Sequence, residues 1–479
     1  MKYFTTPIFY VNSFPHIGTA HNMCLTDFLF KAFNYFGDQK SYLLTGTDEH
    51  GQKIYNSAKK NNIQVIDFVD KNVILFKDLA NILNIKYNRF IRTTDEDHKY
   101  NVLKVWNLLL EKNFLYKDIY KGWYSERDEC YFQEKEIYTK DNKKYSISTN
   151  APLEFIEEEC YFFKLSFFKE KLLNFYKEHP KFVIPNNLVN ELIQFTNNIK
   201  DLCVSRKIDW GIDIPGENSK IYVWLDALFN YITAIGGVEN YNKNLWNNVV
   251  HVIGKDIIIF HGVYWPALLM ALDIEPPKNL LVHGWWLIDE NKISKSLGNM
   301  ITPKDILWDN SDYMRYYFCR EGLIGRDSNF SMDKFVNIIN NEVMDKFCNL
   351  FYRVFSILKK NFPQQNILIH KNLQAQKDIS DLKDILYDNL KNFYVHKFIE
   401  KIVEFVDRIN RLIEKEKIWE NFNDHLQMYL INVIIEIIDI YEIIIPNLVG
   451  EIKNMYKLND NILIIGVLKP FFKKITVQK

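Results

Sequence analysis

A parallel α/β sheet, interrupted by a small α+β insertion and followed by an all-helical region, is the architecture this sequence predicts. Three observations carry that expectation. Short apolar runs alternate with helical periodicities in two separated stretches of the first 330 residues, as in βαβ units. Between those stretches, from about residue 114 to residue 219, short aromatic runs replace them. After about residue 330 only helical periodicity remains, to roughly residue 456.

Taken in order, "YFTTPIFYV" (3–11) reads as the first strand. A Pro-containing turn follows, then a helix over about residues 19–37 with Gly37 as its C-terminal cap. "SYLLTG" (41–46) is the second strand, and helices run on to about residue 113. "GWYSERDECYF" (122–132) and "KKYSIS" (143–148) predict small antiparallel strands, with helices around 165–200. The parallel pattern resumes with a helix at 222–237, "VVHVIG" (249–254), a helix at 260–273 and "NLLVHGWWLI" (279–288). The expected domains are thus 1–113 and 220–330 as two halves of one sheet, 114–219 inserted between them, and 331–479 helical.

At 479 residues the chain exceeds one ordinary core, so two to four domains are expected. A hydrophobic fraction of 47% with 25% charged residues is that of a soluble globular protein and excludes disorder. Sixty basic and sixty acidic residues cancel, so a nucleic-acid surface has to be a local patch. The six cysteines are scattered without a C-x-x-C pair, which is reduced, intracellular usage with neither a disulfide framework nor a zinc knuckle. No basic stretch followed by an apolar run opens the chain, so secretion is not expected. "INVIIEIIDIYEIII" (431–445) is apolar enough to suggest a membrane span. Asn432, Glu436, Asp439 and Glu442 recur there at helical spacing, which predicts an amphipathic helix of a bundle and no membrane partner.

Chemistry concentrates where the strands end, because helix N-termini there offer unpaired N–H groups to anions. "NSFPHIGTAH" (12–21) places His16 and Gly18 at such an end, either as a structural turn or as a phosphate site with close backbone approach. "LTGTDEHG" (44–51) ends the second strand: Glu49 reads as a helix cap, Asp48 as a cap or as the partner of a substrate ammonium. In "VIGKD" (252–256) Asp256 is a helix N-cap or an acceptor for ribose hydroxyls. "ENKISKSLGN" (290–299) sets Lys292 and Lys295 on a polar loop, either solvated or closing over phosphates.

His-Ile-Gly after the first strand and Lys-Ile-Ser-Lys-Ser after a late one, with an insertion between, resemble the class I aminoacyl-tRNA synthetases. "TTPIFYVN", "LTGTDEHG", "YVWLDA", "GKDI" followed by "FH", "VHGW" and "KISKSLGN" occur in the order found in the methionyl branch of that family. The resemblance spans nearly the whole chain. It implies a class I Rossmann-like parallel-sheet catalytic domain with an inserted small α+β domain, followed by an α-helical anticodon-binding bundle.

It also implies an ATP-dependent ligase of methionine and tRNA(Met), using Mg²⁺, cytoplasmic and monomeric. His16, Gly18, Thr19, Gly254, Asp256, Lys292, Ser294 and Lys295 carry over as ATP-binding residues, with His16, Lys292 and Lys295 acting on the phosphates. Ile8, Tyr10, Asp48, Trp224, Ala227, Leu228, Tyr231, Ile257 and His261 carry over as the methionine site. Trp224, Ala227, Leu228 and Tyr231 fit a core helix face equally well. Asn349, Arg353 and Trp419 carry over as contacts to the CAU anticodon, beyond the contact with the tRNA acceptor end.

Four positions depart from the family. Thr19 stands where a second His is usual, which implies either weaker phosphate binding or compensation by His21. Ser125 and Asp128 stand at two zinc-ligand Cys positions of the insertion, so no zinc is expected. Ile418 replaces a Pro before Trp419. The rival readings are a class I synthetase for another amino acid and a catalytically impaired tRNA-binding paralogue. An insertion of roughly a hundred residues is short for the editing domain some of the former require.

Overall fold

The computed structural model describes residues 1–12, 14–38, 40–127, 130–132, 134–288, 291–292, 310–362, 366–420, 423–468 and 474–476. Contacts divide the chain into two compact units. Met1–Pro15, Tyr42–Asp78 and Tyr87–Val282 form the first; His16–Ser41, Leu79–Lys86 and His283–Lys479 form the second.

The first unit is built on a six-stranded sheet: β1 (Tyr3–Tyr10), β2 (Tyr42–Asp48), β3 (Arg89–Arg92), β4 (Val183–Ile184), β5 (Val249–Gly254) and β6 (Asn279–His283), in spatial order β3-β2-β1-β5-β6-β4. The pairs β1–β2, β2–β3, β1–β5 and β6–β4 are parallel. β5 and β6 are buried at every position, as strands of a sheet covered on both faces must be. β1 shifts register against β2 between Thr5 and Ile8, around Pro7, which has no N–H to give a ladder. Beyond the shift Ile8 lies opposite Gly46, and Tyr10 opposite Asp48. The second strand thus runs two residues past the predicted 41–46 and brings Asp48 into register with β1.

Residues 115–163 form the antiparallel part of the insertion. Leu115–Ser125 and Pro152–Phe163 pair from Leu115 opposite Phe163 to Tyr124 opposite Glu154. Ile137–Lys140 and Lys143–Ser146 make a hairpin whose two turn residues, Asp141 and Asn142, have φ of 50° and 59°. Asp-Asn tolerates that left-handed pair, and its twist matches the strands.

In the second unit, Val395–Lys415 buries Phe398, Ile399, Ile402, Val406, Ile409 and Ile413, the single stripe of an amphipathic helix. The apolar run at 431–445 falls within helix Asp424–Ile444. Its polar residues are engaged: Glu436 pairs with Lys383 at 2.6 Å, and Asp439 and Glu442 with Lys453 at 2.8 and 2.7 Å. Among the described residues no helix is long and apolar enough to cross a membrane.

The expectation of helical periodicity alone beyond residue 330 needs correction. Asn366–Leu368, Tyr456–Asn459 and Ile462–Ile465 form a three-stranded antiparallel sheet. The turn is two residues, Asp460 and Asn461, with Asp460 at φ 51°. Strands this short leave too little alternation for periodicity to register. The predicted helix over 222–237 likewise breaks into Val223–Leu228 and Asn230–Thr233, followed by Gly236 and Gly237 at positive φ (125° and 75°).

Candidate active site

Two short segments of the first unit meet face to face. One is the helical pair Val223–Leu228 and Asn230–Thr233; the other is the wide turn Phe260–Tyr264 that follows β5. Widened turns of this kind, inserted into a helix, frequently mark functional sites. The Trp224 ring stacks on Phe260 with centroids 3.6 Å apart and planes 13° apart, and meets His261 edge-on at 6.4 Å. Tyr231 Oη lies 2.8 Å from His261 Nε2.

The protons of this cluster follow from the acceptors. A carbonyl can only accept, so His261 Nδ1–H donates to the Ile257 carbonyl at 3.0 Å. Burial pulls the His261 pKa down to about 4, so at neutral pH its Nε2 carries no proton and accepts from the Tyr231 hydroxyl. His251 repeats the logic: Trp265 Nε1–H donates to its Nε2 at 3.2 Å, leaving Nδ1–H to donate to Thr5 Oγ1 at 2.8 Å. Burial, then His261, hold His251 well below its usual pKa. The result is an uncharged wall of aromatic rings whose polar atoms are satisfied among themselves. Such a wall suits an apolar, polarizable ligand side chain.

Asp48 closes β2, half-buried and in register with Tyr10. Its charge reaches Tyr231: burial raises that phenol's pKa, and Asp48 adds to the rise. Of the other predicted methionine-site residues, Ile8, Trp224 and Ile257 are half-buried against the core, Ala227 and Leu228 are buried, and Leu228 and Tyr231 belong to the core itself.

Glu49 does not cap a helix. Helix Gln52–Lys60 is capped at Gly51 without any side chain. Glu49 is fully buried instead and receives Arg92 Nε and Nη2 at 2.8 and 2.9 Å, with Thr47 and Thr94 hydroxyls at 2.6 Å each. A buried carboxylate needs such a bidentate partner, and the distant Arg92 made the pairing invisible to local sequence patterns. Asp256 is no N-cap either; Gly254 precedes the single turn Lys255–Ile257, on which Asp256 stands exposed.

His50 was legible only as part of a polar strand end, and Asp226 and His98 went unnoticed. The three join: Asp226 Oδ2 lies 2.6 Å from His50 Nδ1, and its Oδ1 2.8 Å from His98 Nε2. The signal was present in "VWLDALF", since an acid inside an apolar run is buried and has to find donors. Burial alone would raise Asp226, but His50 and His98 outweigh it and hold the carboxyl below its usual range.

In the second unit His16 begins helix Ile17–Phe36, one turn's fraction earlier than predicted, because its Nδ1 caps the helix by accepting from Gly18 N–H at 3.0 Å. A Cβ on residue 18 would lie 2.9 Å from that imidazole, so a larger residue there would displace the capping ring. Thr19 is 5% exposed. Compensation by His21 is not available: its ring is 1% exposed among His283, Trp286 and Phe318. Burial, then His283, hold it neutral, so it cannot supply a cation. Lys292 lies in a two-residue strand, Asn291–Lys292, paired with Trp286–Ile288; Ser294 and Lys295 fall outside the described residues.

Among the described residues no group of three or more His, Cys, Asp or Glu could hold a metal ion. Of the two departures in the insertion, Ser125 is fully buried and Asp128 falls outside the described residues. Asn349 is exposed and Arg353 half-buried on one face of helix Asn349–Asn361. Arg353 lies 5.7 Å over the Trp419 ring and 3.3 Å from Glu414. Trp419 is 47% exposed, while Ile418 beside it is fully buried.

A parallel sheet, a His-x-Gly helix start and a Lys-Ile-Ser-Lys-Ser segment define an enzyme of the class I synthetase type. A family model described as tRNA synthetases class I (M) matches residues 2–145 and 139–355. A methionine–tRNA ligase of Rickettsia typhi is 40% identical over 434 residues, covering 87% of this chain and 84% of that protein. One from Thermotoga maritima is 36% identical, covering 87% and 68%. The solved Mycobacterium tuberculosis methionyl-tRNA synthetase in complex with methionyl-adenylate superposes with a TM-score of 0.88 at 32% identity, covering 95% of this chain and 94% of that one. Its free state superposes at 0.81 with 29% identity, covering 95% and 91%. The chain belongs to the methionyl-tRNA synthetase family of class I aminoacyl-tRNA synthetases.

Proposed function

We propose that the protein activates L-methionine with Mg·ATP to methionyl-adenylate and transfers the methionyl group to tRNA(Met). The observation that carries this is the uncharged Trp224–Phe260 and Tyr231–His261 wall, with Asp48 half-buried at the end of β2 opposite Tyr10. Asp48 takes the ammonium, the wall takes the thioether, and Ile8, Tyr10, Ala227, Leu228 and Ile257 complete the site. The substrate carboxylate attacks the α-phosphorus in line and pyrophosphate leaves. No protein nucleophile is needed, so positioning and charge stabilisation supply the rate. His16, Gly18 and Thr19 meet the phosphates, Gly254 and Asp256 the ribose, and Lys292, Ser294 and Lys295 the departing pyrophosphate. Mg²⁺ arrives on the ATP phosphates as part of the substrate. The division into catalytic halves at 1–113 and 220–330, an insertion at 114–219 and an anticodon-binding part at 331–479 belongs to the same reading. So do a cytoplasmic monomer and independence of zinc.

Exchange of pyrophosphate into ATP, run with each of the twenty amino acids, tests the assignment. Methionine alone should drive it. Leucine or isoleucine working equally well would refute the specificity, and no exchange at all would favour the impaired tRNA-binding paralogue.

For tRNA, Asn349, Arg353 and the exposed Trp419 are the proposed readers of CAU, since unpaired loop bases are recognised by stacking and by polar groups on base edges. Trp419→Ala should cost about 1–3 kcal/mol of tRNA recognition. The loss should appear in aminoacylation while methionine-dependent exchange stays level. Equal charging of CAU and altered-anticodon transcripts by the unmodified enzyme would contradict this role.

A further inference from the structure

The buried carboxylate Asp226 sits in the middle of the amino-acid site's supporting structure without being one of its walls. It is 1% exposed, on the short helix that carries Trp224. An ionised carboxylate only accepts, so both imidazoles donate to it: His50 through Nδ1–H at 2.6 Å and His98 through Nε2–H at 2.8 Å. His50 stands two residues beyond Asp48, on the same strand end. On its far side His98 Nδ1 lies 3.1 Å from the Thr233 hydroxyl, two residues beyond Tyr231, and Asn101 Nδ2 donates to that same hydroxyl at 2.8 Å. Thr233 in turn reaches the Phe229 carbonyl at 2.9 Å.

Each link of this chain therefore fastens a piece of backbone that carries a substrate-facing group. Asp48, the ammonium anchor, is tied through His50. Trp224 is tied through Asp226 itself, and Tyr231 through Thr233 and His98. The bonds are buried, and the two shortest converge on a single carboxylate, so they leave little freedom in the distance between anchor and wall. That distance is what a free amino acid's side-chain length is measured against. A displacement of about an ångström in a site of this type costs on the order of a hundredfold in rate.

We propose that Asp226, with His50 and His98, is a positioning residue that sets the span between the ammonium anchor and the aromatic wall, and so the length of amino acid the site accepts. This rests on the reading of Asp48, Trp224 and Tyr231 given above, and extends it to residues that touch no substrate. In Asp226→Asn one carboxylate oxygen becomes an amide that can only donate, so one imidazole loses its acceptor while the volume is unchanged.

The test is pyrophosphate exchange with the full-length enzyme, using methionine and ethionine, whose side chain is one methylene longer. Asp226→Asn is expected to lower kcat/KM for methionine by about tenfold to a hundredfold, to leave KM for ATP unchanged, and to narrow the preference for methionine over ethionine by about fivefold or more. His50→Ala should do the same, and His50→Asn, whose amide can donate where Nδ1–H did, should recover most of the loss. This pair also carries the test should Asp226→Asn not fold. Folded variants with the unmodified enzyme's methionine-to-ethionine ratio would overturn the proposal and make the network merely structural. Trp224→Ala, run in parallel, separates the two levels. If it leaves methionine kinetics unchanged the site reading itself fails; if it impairs them while the network variants do not, only the positioning role falls.

Discussion

Asp48→Ala is expected to reduce methionine-dependent pyrophosphate exchange by about a hundredfold or more, with the loss falling on KM for methionine and not on KM for ATP. Asp48 ends β2 half-buried, opposite Tyr10, and its field reaches the Tyr231 phenol. An ammonium bound there gives up much of its hydration, and only a fixed counter-charge offsets that loss. Truncating one partner of a desolvated charge pair costs about 2–5 kcal/mol, which is roughly thirtyfold to several thousandfold in affinity. Asp48→Asn keeps the shape and removes the charge, so it should come close to the alanine variant. The uncharged wall formed by Trp224, Phe260, Tyr231 and His261 offers no alternative anion to take over. Isothermal titration of methionine against both variants is the direct check. Wild-type affinity in Asp48→Asn would mean that the ammonium is held elsewhere.

How far the sequence could be read depended on whether an interaction was local. The parallel sheet was legible because β5 and β6 are continuous apolar runs, and the amphipathic face of helix Asp424–Ile444 was legible because four polar residues repeat at helical spacing. The start of helix Ile17–Phe36 was misplaced by two residues, since nothing in composition says that His16 caps it with its own imidazole. Pairings across long separations were out of reach altogether. Glu49 finds Arg92 forty-three residues away, and Asp226 finds His50 at a separation of 176. Local patterns say that a buried acid requires a donor; only the fold says which one. His21 shows the converse limit, because its chemistry as a cation was plausible from sequence and is cancelled by burial.

Arg315→Ala is expected to destabilise the second unit by about 3–5 kcal/mol, the usual consequence of leaving a buried charge without its partner. Arg315 is 1% exposed and spends its guanidinium on four acceptors. Nη2 pairs with Asp27 at 2.7 Å and reaches the Ile443 carbonyl at 3.3 Å; Nε and Nη1 donate to the carbonyls of Ile444 and Leu83 at 3.0 and 2.8 Å. It therefore ties helix Ile17–Phe36, the loop after residue 82 and the end of helix Asp424–Ile444 to helix Asp312–Glu321. Removing it takes the guanidinium from Asp27, which retains Lys31 at 2.8 Å and the Lys86 amide at 2.9 Å, and takes the donor from three carbonyls. The pH dependence gives the mechanism a signature. Burial would raise Asp27, but Arg315, then Lys31, hold it below the usual carboxylate range. A depressed acid contributes stability that is present above its unfolded pKa and lost as pH falls through the folded one. Asp312 runs the other way: burial pushes it up to about 6, so its ionisation costs stability as pH rises from about 4 through 6. In the unmodified protein the two oppose each other. Without Arg315 the Asp27 contribution shrinks, and Asp312, for which Arg315 is a lowering influence, moves higher. Urea midpoints of Arg315→Ala should therefore fall furthest behind the unmodified protein near neutral pH and approach it below about pH 4. A deficit that stays constant across that range would show that Arg315 acts through packing and carbonyl bonds, with the ion pair contributing nothing.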